Sequence, residues 1–151
     1  MNKVEYAPRD WFDSAKDPSE WTAPIIESVT VTLPLPPRAC WQNHRGHWSA
    51  GSKAKRAQRT AAMLHAKAAM GRADAPRWPA GTVKFTFYWK DARRRDPLNA
   101  MAAMKAAIDG LVDAGVLADD DRLMPETPAF EVDKLNPRVV VVIRPVAGRS
   151  K

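Results

Sequence analysis

Two adjoining stretches decide the fold. Thr82-Val-Lys-Phe-Thr-Phe-Tyr-Trp-Lys90 alternates strictly, with Val83, Phe85, Phe87 and Trp89 on one face. That period of two predicts a strand with one buried face. Asp96-Pro-Leu-Asn-Ala-Met-Ala-Ala-Met-Lys105 then changes the period. A capping carboxylate followed by proline is a helix opening, because proline there sacrifices no amide bond. The helix is predicted to run to about Ala114, closed by Gly115. Its inward face is Leu98, Met101, Ala102, Lys105, Ile108, Leu111 and Val112, with Lys105 alone polar among them.

Working outward, Ser28 to Leu35 alternates as well, and Pro36-Pro37 ends that strand. Arg38 to Ser49 reads as an irregular basic loop flanked by Trp41 and Trp48. A helix is predicted from Ser52 to about Met70, with Ala57, Ala61, Leu64 and Ala68 as its apolar stripe. Phe130 to Leu135 and Arg138 to Arg144 read as a closing hairpin around Asn136-Pro137. The order β, α, β, α, β, β predicts an α+β fold, two helices packed on a small mixed, mostly antiparallel sheet. Residues 1–27 are polar and without steady period. They read as an N-terminal extension, docked through Trp11, Phe12 and Trp21 or loosely ordered. The domain proper spans 28–146 and a tail covers 147–151.

Composition narrows the class. With 45% apolar and 27% charged residues in 151, the chain has the make-up of one globular domain. An apolar run such as Val139 to Ile143, which no other exceeds in length, is far short of the roughly 20 residues that cross a bilayer, so no membrane partner is expected. The opening Met-Asn-Lys-Val-Glu-Tyr has no apolar signal core, and the single Cys40 permits no internal disulfide or Cys-based zinc site. A cytoplasmic location is expected. The net charge of +7 is unevenly placed: residues 1–37 carry −3, 38–95 carry +12, and 96–151 carry −2. A basic middle third favours an anionic partner such as nucleic acid.

The carboxylates are the candidate chemistry. Asp96 follows Arg93-Arg94-Arg95 directly, and Asp119, Asp120 and Asp121 form a turn after the same helix. Clustered carboxylates beside basic residues suit a site that holds Mg²⁺ against a polyanion. The plainer alternatives are an N-cap for Asp96 and a solvated turn for the triplet. Lys105 either reaches a phosphate or snorkels at the edge of the core. His44, His47 and His65 suit phosphate or surface contacts better than metal ligation. Trp41 and Trp48 either stack on unpaired bases or pack the loop. Met101 and Met104 read as core filler.

Taken together, these elements resemble the RusA-type Holliday junction resolvases. The resemblance runs from about Val29 to Val146. It rests on Val29-Thr-Val-Thr-Leu-Pro-Leu-Pro-Pro37, on Asn43-His-Arg-Gly-His-Trp-Ser49, on Arg93-Arg-Arg-Asp-Pro-Leu-Asn99, on Lys105-Ala-Ala-Ile-Asp-Gly-Leu-Val-Asp-Ala-Gly115 and on Asp119-Asp120. It implies a homodimeric, Mg²⁺-dependent endodeoxyribonuclease acting on four-way junctions or related branched DNA in recombination and repair, in a bacterial cell or from a phage or prophage. It further implies Asp96, Lys105 and Asp120 as catalytic residues, and Asp96, Asp119 and Asp120 at the metal. Arg38, Arg45, Lys53, Lys55, Arg56, Arg93, Arg94, Arg95 and Asn99 would contact DNA. The family's second acidic position, in its D-x-D-N pattern, is Leu98 here, and leucine cannot ligate metal. The alternative is therefore a catalytically weakened junction-binding protein of the same fold. An ordinary basic protein for RNA or ribosome contact ranks lower, because no RNA-binding motif is recognisable.

Reach adds one geometric expectation. A straight helix from Pro97 to Ala114 is about 27 Å long. The steps from Gly115 to Asp120 return at most about 17 Å. Asp96 and Asp120 of one straight-helixed chain therefore cannot share a metal, and a two-fold dimer is expected to bring Asp96 of one subunit to Asp120 of the other.

Overall fold

A computed structural model describes residues 2–6 and 25–146; Trp11, Phe12 and Trp21, the proposed docking aromatics, lie outside them, as does the tail from 147. The fold is α+β, with helices on a mixed sheet. The strands are β1 (Lys3–Tyr6), β2 (Ile26–Leu33), β3 (Gly81–Trp89), β4 (Leu123–Pro125), β5 (Ala129–Val132) and β6 (Arg138–Pro145), and the sheet order is β1-β2-β6-β3-β4, with β5 also on β3. The helices are α1 (Trp48–Met70), α2 (Pro97–Ala102) and α3 (Lys105–Asp113).

The alternation expected of β3 holds along its whole length, and Val83, Phe85, Phe87 and Trp89 are all buried. Register ties that face to its neighbours in three rows. Val83 lies opposite Ile143, Phe85 opposite Val141 and Phe87 opposite Val139; those same β6 residues face Val29, Val31 and Leu33 of β2. β-branched and aromatic side chains stacked across strands in this way are the unit of sheet stabilisation. The helices cover this face of the sheet, and the opposite face stays half-buried.

Four expectations are corrected. First, β5 and β6 do not form a hairpin. Both pair with β3, β5 in parallel and β6 antiparallel, so the 133–137 segment crosses the end of β3. The crossing is fastened locally: Asp133 N–H donates to Trp89 O, and the Asp133 carboxylate accepts from the Leu135 and Asn136 amides and pairs with Arg138 at 2.7 Å. A polar turn between two apolar runs looks the same in sequence whether or not a third strand lies between them.

Second, the supposed extension supplies a strand. β1 pairs antiparallel with β2, Val4 opposite Val29, and Asn2 accepts from Thr32 N–H while its amide contacts His65 Nδ1 on α1. Four residues are too few to show a period.

Third, α1 starts at Trp48, capped by His47, whose Nδ1 accepts from Ser49 N–H. Its buried face is Ala62, Ala66 and Met70, whereas Ala57, Leu64 and Ala68 are exposed, Leu64 at 57%. The helix is so rich in alanine that two faces carry small apolar residues, and size decides between them. α3 packs so closely that a Cβ on Gly110 would lie 2.2 Å from Arg59 O and 2.9 Å from Ala62 Cβ.

Fourth, the long second helix is interrupted at Ala103-Met104 and becomes α2 and α3. The two junction residues are buried and Met104 is fully enclosed, so burial of this pair accompanies the change of helical register. Two short helices thus replace the single straight rod from Pro97 to Ala114. Leu98 and Lys105 fall outside the buried face, which is instead Ala100, Ala103, Met104, Ala107, Ile108, Gly110 and Leu111. Gly115 closes α3 as expected, in a left-handed conformation at φ 82°.

Candidate functional site

Lys105 opens α3, and Asp109 stands one turn on, so the ammonium and carboxylate meet at 2.6 Å. The turn after α3 brings Asp120 back to the same ammonium, so Lys105 contacts both carboxylates. Sequence singles out two of these three residues. Asp109 escapes it, although the i,i+4 spacing from Lys105 was the available signal.

The electrostatics are mutual. The hydrogen bonds that Lys105 donates to Asp109 and then to Asp120 raise its pKa above the usual value, and Lys105 holds the Asp120 carboxyl below the ordinary carboxylate range. At neutral pH Lys105 is a cation and Asp120 an anion. Asp120 is therefore no proton donor there, and Lys105 is no general base. What Lys105 offers chemically is a fixed positive charge.

The remaining acidic candidates are placed differently. Asp96 caps α2, accepting from Leu98 N–H at 2.9 Å, with Pro97 at the first helical position as expected. Asp119 accepts from the Asp120 amide at 2.7 Å and so orients that turn. Asp121 is exposed. Leu98 is 69% exposed at the start of α2. Among the described residues no three His, Cys, Asp or Glu side chains gather as a metal-holding group.

Two clefts open near one another, and the first reaches the cluster through Lys105 and Asp109. One, of about 750 Å³, runs beneath the first half of α1 and is lined by Trp48, Lys55, Arg56, Arg59, Lys105 and Asp109 among others. The second, of about 1010 Å³, is lined by Arg38, Arg45, Arg93, Arg94, Arg95 and Lys90, with Trp41 and Trp89 in its wall. Trp41 and His44 border both. Lys53 and Asn99 line neither cleft; the Asn99 carbonyl accepts from Ala103 N–H.

The arginine groove is partly built in advance. Asp91 accepts from Arg95 at 2.7 Å and pairs with Arg93, while the Arg95 guanidinium lies 4.3 Å above the Trp89 ring. These arginines hold the Asp91 pKa below its usual value, Arg95 most strongly. The Trp89 ring is buried in the core, and its indole N–H has no hydrogen-bond partner among the described residues. Asp91 is a second residue that sequence does not single out; its position four before Arg95 was again the clue. Arg59 is engaged by Asp113 through two hydrogen bonds, 2.6 and 2.9 Å.

Trp41 and Trp48 separate in role. Trp41 packs 6.0 Å from Trp89 and donates its indole N–H to Pro36 O. Trp48 is 77% exposed. The His47 ring caps a helix, and the His65 ring contacts Asn2. Compared with known proteins, the chain finds no match among protein-family models and none among curated proteins.

Proposed function

We propose that the protein binds branched DNA, four-way junctions above all, and hydrolyses phosphodiester bonds there with Mg²⁺, as a homodimer. The observation that carries this is the adjacency of the two clefts. Five arginines and a lysine line one, the Lys105–Asp109–Asp120 cluster borders the other, and both open beside Trp41 and His44. Guanidinium groups grip phosphate oxygens in paired hydrogen bonds, and such contacts supply most of the affinity for a nucleic-acid backbone. Preference for a branched substrate rests on the resemblance to the resolvases.

The residues fit a divalent ion. Asp109 and Asp120 direct carboxylate oxygens at a single cation, the Lys105 ammonium, and Mg²⁺ in phosphate-processing sites is held by one or two carboxylates with waters and substrate oxygens. Asp120 and Asp109 would hold the ion, which supplies charge neutralisation and an activated water. Lys105 then stabilises charge on the departing oxygen, and Arg93 to Arg95 hold the flanking phosphates. Asp96, as a helix cap, fixes the start of α2, and with the straight helix replaced by two short ones, reach no longer requires a partner protomer's Asp120 beside it.

A second possibility, binding without cleavage, is favoured by Leu98. An exposed leucine stands where the resolvase pattern has a carboxylate. One assay separates the two: cleavage of a synthetic four-way junction with Mg²⁺ by wild type, Leu98→Asp and Asp120→Asn. The nuclease reading expects cutting by wild type and loss of roughly 10²-fold or more in Asp120→Asn. Wild-type inactivity with gain of cutting in Leu98→Asp establishes the binding protein instead. Equal cutting by wild type and Asp120→Asn removes Asp120 from the site.

A further inference from the structure

We propose that Trp48 is a stacking platform for an unpaired nucleobase, which makes the cleft beneath α1 a subsite for single-stranded nucleotides of the bound DNA. This rests on the nucleic-acid function proposed above and adds to it the structural feature that is recognised.

Trp48 is the only aromatic among the exposed large apolar side chains of the described residues. Its exposure is not an accident of a loose loop, because it is the first residue of α1 and its backbone is held in the helix. The His47 ring lies 5.6 Å away, itself fixed by Ser49. The residues one turn on, Gly51 and Ser52, also line the cleft and are small, so nothing bulky follows the indole along that side. A side chain at Gly51 would approach Ala39 O at 3.3 Å, so the turn before α1 already bounds the space. Two turns on, about 10 Å along the axis, Lys55 joins the same cleft, with Arg56 beside it. Neither forms an ion pair among the described residues, in contrast to Arg59.

An exposed indole followed by free cations at this distance matches the chemistry of single-stranded nucleic acid. The base offers a flat π-face to the indole, and the backbone phosphates meet the cations. Every base has such a face, so recognition is tolerant of sequence. In a continuous duplex both faces are already stacked. Trp48 therefore distinguishes unpaired nucleotides, such as those at an opened branch point, from paired ones. Trp41 cannot share this role, since its ring packs on Trp89.

The test is equilibrium binding by fluorescence anisotropy at one salt concentration, with full-length wild type, Trp48→Ala and Trp48→Phe. The probes are a labelled oligothymidine and a labelled duplex of equal length. Stacking predicts that Trp48→Ala weakens oligothymidine binding roughly 5- to 150-fold, leaves duplex binding within about twofold, and that Trp48→Phe recovers most of the loss. Unchanged oligothymidine binding in Trp48→Ala overturns the platform while leaving DNA binding intact. So does an equal loss on both probes, which marks a general structural or electrostatic effect. Failure of the wild type to bind the oligothymidine overturns the platform, and failure to bind a labelled four-way junction as well overturns the nucleic-acid function itself.

Discussion

Lys105 has consequential surroundings, because one ammonium serves two carboxylates. Removing it leaves Asp109 and Asp120 facing each other without a cation, and like charges at close range disfavour ionisation. In Lys105→Met the Asp120 carboxyl is therefore expected to titrate at higher pH than in wild type, by carbon-detected NMR of the side-chain carboxyl. An unchanged Asp120 titration would falsify the cluster. The side chains are about 61% and 32% exposed, so the change in fold stability is expected to be small. Lys105 was legible in sequence as an odd residue on a helix. Its contact with Asp120 was not, since a contact across fifteen residues depends on how the intervening turn folds back.

At the scale of elements, the packing of α1 on α3 turns on glycine. Gly110→Ala places a methyl group against the Arg59 carbonyl, a backbone atom that cannot swing aside. Overpacking of this kind costs about 1–3 kcal/mol. Urea unfolding of Gly110→Ala should show that loss, whereas Leu64→Ser should change stability by no more than about 0.5 kcal/mol because Leu64 faces solvent. A large loss at Leu64 and none at Gly110 would restore the helix face suggested by hydropathy. Strand β3 was readable from alternation alone, because burial of one face leaves a strict period. Helix α1 was readable as a helix but not in phase, because alanine occupies both buried and exposed positions. The β5 and β6 segments were recognisable as strands, but their partner was not, since pairing is settled by the sheet as a whole.

For the whole molecule, charge sets how stability depends on pH and, under the proposed function, how binding depends on salt. Asp91, Asp113, Asp120 and Asp133 all have pKa values lowered from 3.8, each chiefly by a hydrogen bond to a cation. Groups depressed in the folded state contribute stability above their unfolded pKa and lose it as pH falls through the folded value. The melting temperature is thus expected to decline as pH falls below about 4. Lys105 has the opposite sign: its raised pKa contributes stability below 10.5, which is lost as pH rises through the folded value. A melting temperature that holds steady from pH 5 down to 2 would contradict these pairings. DNA affinity should fall steeply with salt, and Arg93→Ala with Arg94→Ala should flatten the log–log slope by about 0.9 for each phosphate that the variant no longer neutralises. An unaltered slope would move the DNA surface away from the arginine groove.

The amino-acid order alone determined the class of fold, the central strand, the capped entry at Asp96-Pro97 and the concentration of positive charge between 38 and 95. Those properties are local: period, capping chemistry and composition act over a few residues, so neighbours in sequence suffice to read them. Tertiary structure alone decided which alanines of α1 are buried, that β3 lies between β5 and β6, that the second helix breaks at Ala103-Met104, and that Asp120 returns to Lys105. Each of those depends on close packing between segments far apart in the chain, where the volume of a single side chain selects among arrangements that local preference leaves equal.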